Sequence, residues 1–149
     1  MTDEEYGRWR DAELATYAQE MTDSGMLSPD EARARSAEQY AELLPRGRHT
    51  PGTHLLRVLD GDGRPVGALW LGPHPRKDGA GFVYSVAIDE DRRGQGLGRA
   101  AMLATEAIGR SEGWSEIGLN VFGPNVRART LYDSLGYLVV NTNMAKPLT

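Results

Sequence analysis

The segment Arg92-Arg93-Gly94-Gln95-Gly96-Leu97-Gly98-Arg99 concentrates the residue types that grip an anion with main chain. Glycines let successive backbone N–H groups turn inward with no Cβ in the way. If a helix starts here, its first amides lack partners and its dipole is positive at that end. Such an arrangement suits a pyrophosphate, with Arg93 and Arg99 neutralising phosphate oxygens. Two further residues, Asn125 and Tyr132, lie seven apart. On a helix that spacing is two turns, so both share one face roughly 10 Å apart along the axis. One face can then touch an elongated ligand at two places. The simpler readings stay open: Asn125 as a helix cap and Tyr132 as a core tyrosine. Ser85 and Asn120 are polar residues inside otherwise apolar runs, and such side chains need partners.

Other chemistries are excluded by composition. The 149 residues contain no cysteine, which removes disulfides, thiolate nucleophiles and zinc–cysteine sites. His49, His54 and His74 lack a partner at metal spacing, so no metal is expected. The net charge of −4 offers no broad cationic surface, and nucleic acid is a poor partner. The acidic start Thr2-Asp3-Glu4-Glu5 does not read as a secretory signal, and no run is long enough to span a bilayer, so the expected location is the cytoplasm.

The glycine segment must sit between a strand and a helix, and the chain supplies both. Phe82–Ile88 is β-branched and aromatic, as a buried strand should be. After it, Leu97, Ala101, Ala104 and Ile108 form an apolar stripe that ends at Gly113. Upstream, residues 4–22 have helical periodicity. Ser28-Pro29-Asp30-Glu31 is a capping box opening a second helix that runs to about Leu44. Residues 53–59 and 65–71 flank Asp60-Gly61-Asp62-Gly63, a hairpin signal. Ile117–Val121 reads as a strand with Asn120 inside it. Gly123-Pro124 opens a helix carrying Ala128, Leu131, Tyr132 and Leu135 on one face. Tyr137–Val140 and Met144–Leu148 can close the sheet as two more strands. The order predicts a mixed α/β layer fold. A dinucleotide fingerprint, Gly96-Leu97-Gly98-Arg99-Ala100-Ala101, fails on context. Glu116 precedes its strand instead of ending it, and only 51 residues follow Gly98.

Arg93-Gly94-Gln95-Gly96-Leu97-Gly98 resembles the acyl-CoA signature (Gln/Arg)-x-x-Gly-x-(Gly/Ala) of the GNAT superfamily of N-acyltransferases. The strand before it and Asn125…Tyr132…Leu135-Gly136-Tyr137 after it strengthen the match, as does the ending Asn143-Met144-Ala145-Lys146-Pro147-Leu148. Clear similarity covers about residues 64–148. The resemblance implies a single domain over 1–149. Acceptor-side helices would occupy 1–48, and 53–148 would form a mostly antiparallel twisted sheet with helices, splayed at its two central strands. It implies acetyl-CoA as co-substrate and direct transfer to a small-molecule or peptide amine. Val86, Ala87 and Ile88 would bond the pantetheine arm. Arg93, Gly94, Gln95, Gly96, Leu97, Gly98 and Arg99 would cradle the pyrophosphate, and Asn125 would bond the cofactor from the next helix. Tyr132 would protonate the departing thiolate.

Many relatives carry a carboxylate on the strand before the glycine turn, where this chain has Tyr84-Ser85-Val86-Ala87. The base is then a water relay held by Ser85, the reading preferred here, or a group from elsewhere such as Glu20 or His54. The third option is an acceptor whose amine is unusually acidic. Asn120 is expected to reach the acceptor. The missing carboxylate also keeps open a non-catalytic acyl-CoA-binding or sensing module. Such folds usually begin with a strand, which Thr2–Glu5 is too short and too acidic to make. An uncovered sheet edge would need a helix, charge or partner chain, which leaves a homodimer open.

Overall fold

The computed structural model describes residues 1–148 of the chain; Thr149 lies outside them. The elements run α1 (Asp3–Asp23), α2 (Pro29–Leu43), β1 (His54–Leu59), β2 (Pro65–Pro73), β3 (Gly81–Ile88), α3 (Leu97–Glu112), β4 (Ile117–Leu119) and α4 (Val126–Ser134), with short 3₁₀ helices at Gly47–His49 and Glu90–Arg92. The sheet order is β1-β2-β3-β4. The first three strands are antiparallel, and β4 pairs parallel with β3. This is the expected mixed α/β fold with a largely antiparallel sheet.

Local signals account for most boundaries. Ser28 and Glu31 form the reciprocal capping box, the Ser28 N–H donating to Glu31 Oε2 and the Glu31 N–H to Ser28 Oγ. Thr2 and Glu5 do the same at the start of α1, so the acidic opening residues nucleate a helix. Gly113, left-handed at φ +77, ends α3.

The chain divides into two compact units. The first comprises Met1–Asp11 and Ala41–Asn120, and holds the sheet and α3. Its core includes Leu69, Trp70, Leu71, Val83 and Met102. Trp9 packs edge-on against Trp70 with ring centroids 5.6 Å apart. The second unit comprises Ala12–Tyr40 and residues from Val121 onward. Ala18, Met21 and Ala32 form its core, flanked by Tyr17, Leu27 and Phe122. α1 contributes to both units, its first turns to one and the remainder to the other.

Two sequence readings need correction. The buried stripe of α3 is Ala101, Met102, Thr105 and Gly109, while Ala104 is exposed. Thr105 can be buried because its hydroxyl donates to the Ala101 carbonyl at 3.0 Å. Tyr137–Val140 and Met144–Leu148 are not strands. Gly136, at φ +89, closes α4, with the Tyr137 N–H bonded back to the Tyr132 carbonyl. Beyond that turn the segment pairs with no strand of the described sheet.

Gly81 opens β3 under the indole of Trp114, and a Cβ there would lie 2.0 Å from Trp114 Cε3. Gly109 of α3 leaves room for the same ring, with a Cβ position 3.4 Å from it. Gly81→Ala should therefore cost about 1–3 kcal/mol of stability, seen as a lower midpoint in thermal or urea unfolding. An unchanged midpoint would show that the indole moves aside freely.

Candidate functional site

The glycine segment forms the turn between β3 and α3. Gly94 and Gly96 both take the left-handed conformation, with φ of +77 and +79. A side chain would strain either position. Gly96 is the N-cap of α3, and as glycine it has no side chain to satisfy the first-turn amides. A Cβ on Gly96 would meet nothing within 4 Å, so the loop is open on that side. Exposed donors at a helix start can bind an anion. Arg93 is exposed, and its Nε donates to the Ile88 carbonyl at 3.2 Å, which fixes its base against the strand end. Arg99 is exposed in the first turn of α3, and Leu97 and Gly98 begin the helix itself.

Arg92 plays a different part. It donates to Gln95 Oε1 at 3.3 Å and to Asp60 Oδ2 at 3.0 Å. Asp60 sits in the β1–β2 turn, where Oδ1 also accepts the N–H groups of Asp62 and Arg64. The bond from the Arg64 N–H, ahead of the Arg92 contact, holds the Asp60 carboxyl below its usual range. The loop is thus braced from the hairpin, through a residue that sequence reading had not singled out.

A strand edge that β4 leaves unpaired leads to this loop. Trp70 of β2 pairs with Ser85, but Leu71 pairs with Val83, so Tyr84 is an extra, bulged residue. Bulges bend a strand. The β3–β4 pairing covers only Gly81–Val83 against Ile117–Leu119 and stops where the bulge begins. From Ser85 to Ile88, β3 is held by β2 alone. The Asp89 N–H donates to Val66, placing Asp89 in a hydrogen-bonded pair with β2. Strand alternation then turns the main-chain groups of Val86 and Ile88 away from β2, towards the gap, and those of Ala87 towards β2. Val86 and Ile88 therefore offer the backbone donors, and Ala87 brings only its exposed side chain. Ser85 is half-buried on the same strand. Tyr84 stacks on Trp70 at 4.6 Å, and its hydroxyl donates to the Pro73 carbonyl, which pins the bulge.

The second unit holds the remaining candidates. Asn125 is the N-cap of α4, accepting from the Ala128 N–H at 3.2 Å. Its side-chain amide remains a donor. Tyr132 is 9% exposed. Burial first, then Tyr137 and Glu20, raise its pKa, so it is protonated at neutral pH. No hydrogen bond among the described residues ties its hydroxyl. Glu20, Asp23, Phe122, Pro124 and Asn125 line a cavity of about 220 Å³. Burial, then the charges of Glu13 and Asp23, push the Glu20 carboxyl up. This pocket joins Glu20 to Asn125 across a hundred residues, a pairing no local pattern reveals.

Two expected residues are placed otherwise. Asn120 follows the end of β4 and is exposed, instead of lying mid-strand; the strand is three residues long. His54 is on β1, two strands from β3, with Nε2 2.9 Å from Glu112 Oε1. It is engaged at the far side of the sheet from the β3 gap.

Comparisons with known proteins agree with this geometry. The family model described as Acetyltransferase (GNAT) family matches residues 14–137. YdgE of Bacillus subtilis (strain 168), an uncharacterized N-acetyltransferase, is 31% identical over 99% of this chain and 95% of its own length. The crystal structure of the acetyltransferase YycN from Bacillus subtilis superposes with a TM-score of 0.92 at 31% identity, covering 100% of this chain and 96% of that one. A mycothiol acetyltransferase from Propionibacterium freudenreichii is 32% identical over 84% of the chain, which spans 39% of that longer protein. With a glycine cradle, a bulge-splayed strand and this similarity along its length, the chain belongs to the GNAT family of acetyltransferases.

Proposed function

We propose that this acetyltransferase moves an acetyl group from acetyl-CoA to a primary amine by direct attack. The observation that carries the reading is the continuity of donors in one unit. The Val86 and Ile88 main-chain groups face the β3 gap, and the chain runs from them straight into the open amides at Gly96. A pantetheine arm pairs with such a strand edge as an added strand would, and its diphosphate falls to the helix start.

The acceptor binds in the Glu20 pocket. Two carboxylates and the face of Phe122 suit an ammonium group, which they attract by charge and by the ring quadrupole. An alkylamine titrates near 10 and attacks only when neutral. Glu20 takes that proton, a role its raised pKa favours. The amine nitrogen bonds the carbonyl carbon and the carbon–sulfur bond breaks. The leaving thiolate takes the phenolic proton of Tyr132, and the second proton shed by the acylated nitrogen restores the phenol through solvent. Glu20 thus replaces the Ser85 relay in this reading, because its carboxylate can accept a proton outright and a serine hydroxyl cannot at neutral pH.

The test is thiol release from acetyl-CoA with a panel of primary amines. Release with at least one amine is expected; tight binding without release from any would leave a non-catalytic acyl-CoA module instead. Tyr132→Phe should lower kcat by about 10²-fold or more with little change in acetyl-CoA affinity. Unchanged turnover removes Tyr132 from the reaction. Gly96→Ala strains the left-handed N-cap by about 1–2 kcal/mol and should weaken acetyl-CoA binding in calorimetry; equal affinity would show that the cradle is not used.

Glu20→Gln should lower kcat and abolish the acid limb of its pH profile. The same variant carries a stability signature. The Glu20 pKa is raised in the fold, so ionisation costs stability as pH rises through that value. The glutamine variant should melt higher than the parent at pH 7, and the gap should close below about pH 4.5, the ordinary carboxylate value. A variant that melts lower at pH 7 would show that the carboxylate is structural.

A further inference from the structure

In the second unit, α1 carries acids at positions where a surface helix normally carries apolar residues. Ala18 and Met21 are buried in the usual way. Glu13, Tyr17 and Glu20, however, are half-buried, whereas Ala12, Ala15, Thr16 and Gln19 among them are exposed. An amphipathic helix turns charge to water and small apolar side chains inward, so this part of the pattern is reversed. The three half-buried residues are spaced by four and then three positions, which puts them on one face.

Along that face two carboxylates flank an aromatic floor. The Tyr40 hydroxyl of α2 donates to Glu13 Oε2 at 2.9 Å. Burial, then the Glu13 charge, pushes the Tyr40 phenol up, so it stays a donor and fixes that carboxylate. Tyr17 lies between the acids, its ring 6.0 Å from Tyr40 and 5.9 Å from Phe122. Glu20 stands at the other end, on the cavity it shares with Asp23, Phe122 and Asn125. The side chains whose charges act on Glu20 are Glu13 and Asp23, and among the described residues no cation joins them. The Tyr132 hydroxyl lies within reach of the Glu20 charge as well; that residue is 9% exposed and makes no side-chain hydrogen bond among the described residues. Carboxylates held half out of water on a cavity favour a bound cation.

Resting on the acetyl transfer set out above, we propose that the acceptor is a short α,ω-diamine, one nitrogen at Glu20 and the other at Glu13, with its methylene chain over the aromatic rings. Glu13 and Glu20 are two helical turns apart, roughly 10 Å along the axis. The nitrogens of extended 1,4-diaminobutane are separated by five bonds of about 1.5 Å, a span of roughly 6 Å. Each charge-assisted contact adds about 2.8 Å. A four-carbon spacer thus bridges the pair, whereas two carbons fall short and eight overshoot. Glu13 can accept an ammonium as well as the Tyr40 hydroxyl, because a carboxylate offers about four acceptor sites. The amine at Glu20 gives up its proton and is acetylated. The one at Glu13 keeps its proton and its charge throughout. A monoamine of equal length would instead set a methyl group against the Glu13 carboxylate.

The test compares thiol release from acetyl-CoA with 1,4-diaminobutane and with pentylamine, in which a methyl group replaces the second ammonium. The diamine should show a kcat/KM about 10- to 100-fold higher, and Glu13→Gln should bring it down to the level of pentylamine. Pentylamine, or any larger amine, turned over as well as the diamine overturns the second ammonium site and leaves acetyl transfer standing. No release with any amine removes acetyl transfer itself, and the diamine with it. A preference that survives Glu13→Gln overturns the assignment to Glu13. If that variant fails to fold, spacer length in the parent chain decides. There 1,4-diaminobutane should exceed both 1,2-diaminoethane and 1,8-diaminooctane, and indifference to the spacer overturns the two-carboxylate geometry.

Discussion

Backbone hydrogen bonding governs the β3–α3 side of this molecule. A buried or half-buried N–H must find an acceptor, and a strand normally finds it on both sides. The bulge at Tyr84 bends β3 away from β4 just after Val83, so the last residues of the strand keep one neighbour and lose the other. The stack of Tyr84 on Trp70 and the bond to Pro73 make that departure a fixed property of the sheet. What is left is a row of donors facing a gap, ending in a helix start whose cap has no side chain. The unpaired edge and the donors along it both follow from that one irregularity.

Electrostatics divides the labour between the two units. The β3–α3 turn collects arginines and amides, whereas Glu20, Asp23 and Phe122 gather in the other unit around a small cavity. The raised pKa values of Glu20 and Tyr132 come mainly from burial, which disfavours the charged form of each.

Features coded by neighbouring residues were legible in the sequence. The Ser28–Glu31 cap, the β1–β2 hairpin, the Gly113 stop and the glycine cradle all declare themselves within a few positions. Features that depend on a distant partner were not. Nothing near Tyr84 announces a bulge, because a bulge exists only relative to the register of β2. The buried face of α3 includes Thr105 and Gly109, which an apolar pattern cannot pick out: one satisfies its own hydroxyl and the other yields space to Trp114 and Ile117. Asn120 sounded like a strand residue, yet β4 stops at Leu119. The closing strands were read from residue type alone, and a strand also needs a neighbour within reach of its backbone. Glu20 was one option among several for the base, and the cavity that sets it beside Asn125 is likewise invisible to local pattern.

The tie from Asp60 to Arg92 links the far end of the first hairpin to the turn that begins α3. Stiffness of that turn is thereby set in part from the hairpin corner, outside the turn itself. If the turn holds a diphosphate as proposed, drift in the Asp60-Gly61-Asp62-Gly63 corner can loosen or tighten the grip on the carrier while every contacting residue stays the same. Relatives that differ mainly in that corner would then differ in how quickly they let the spent carrier go, a trait that comparison of contact residues alone would miss.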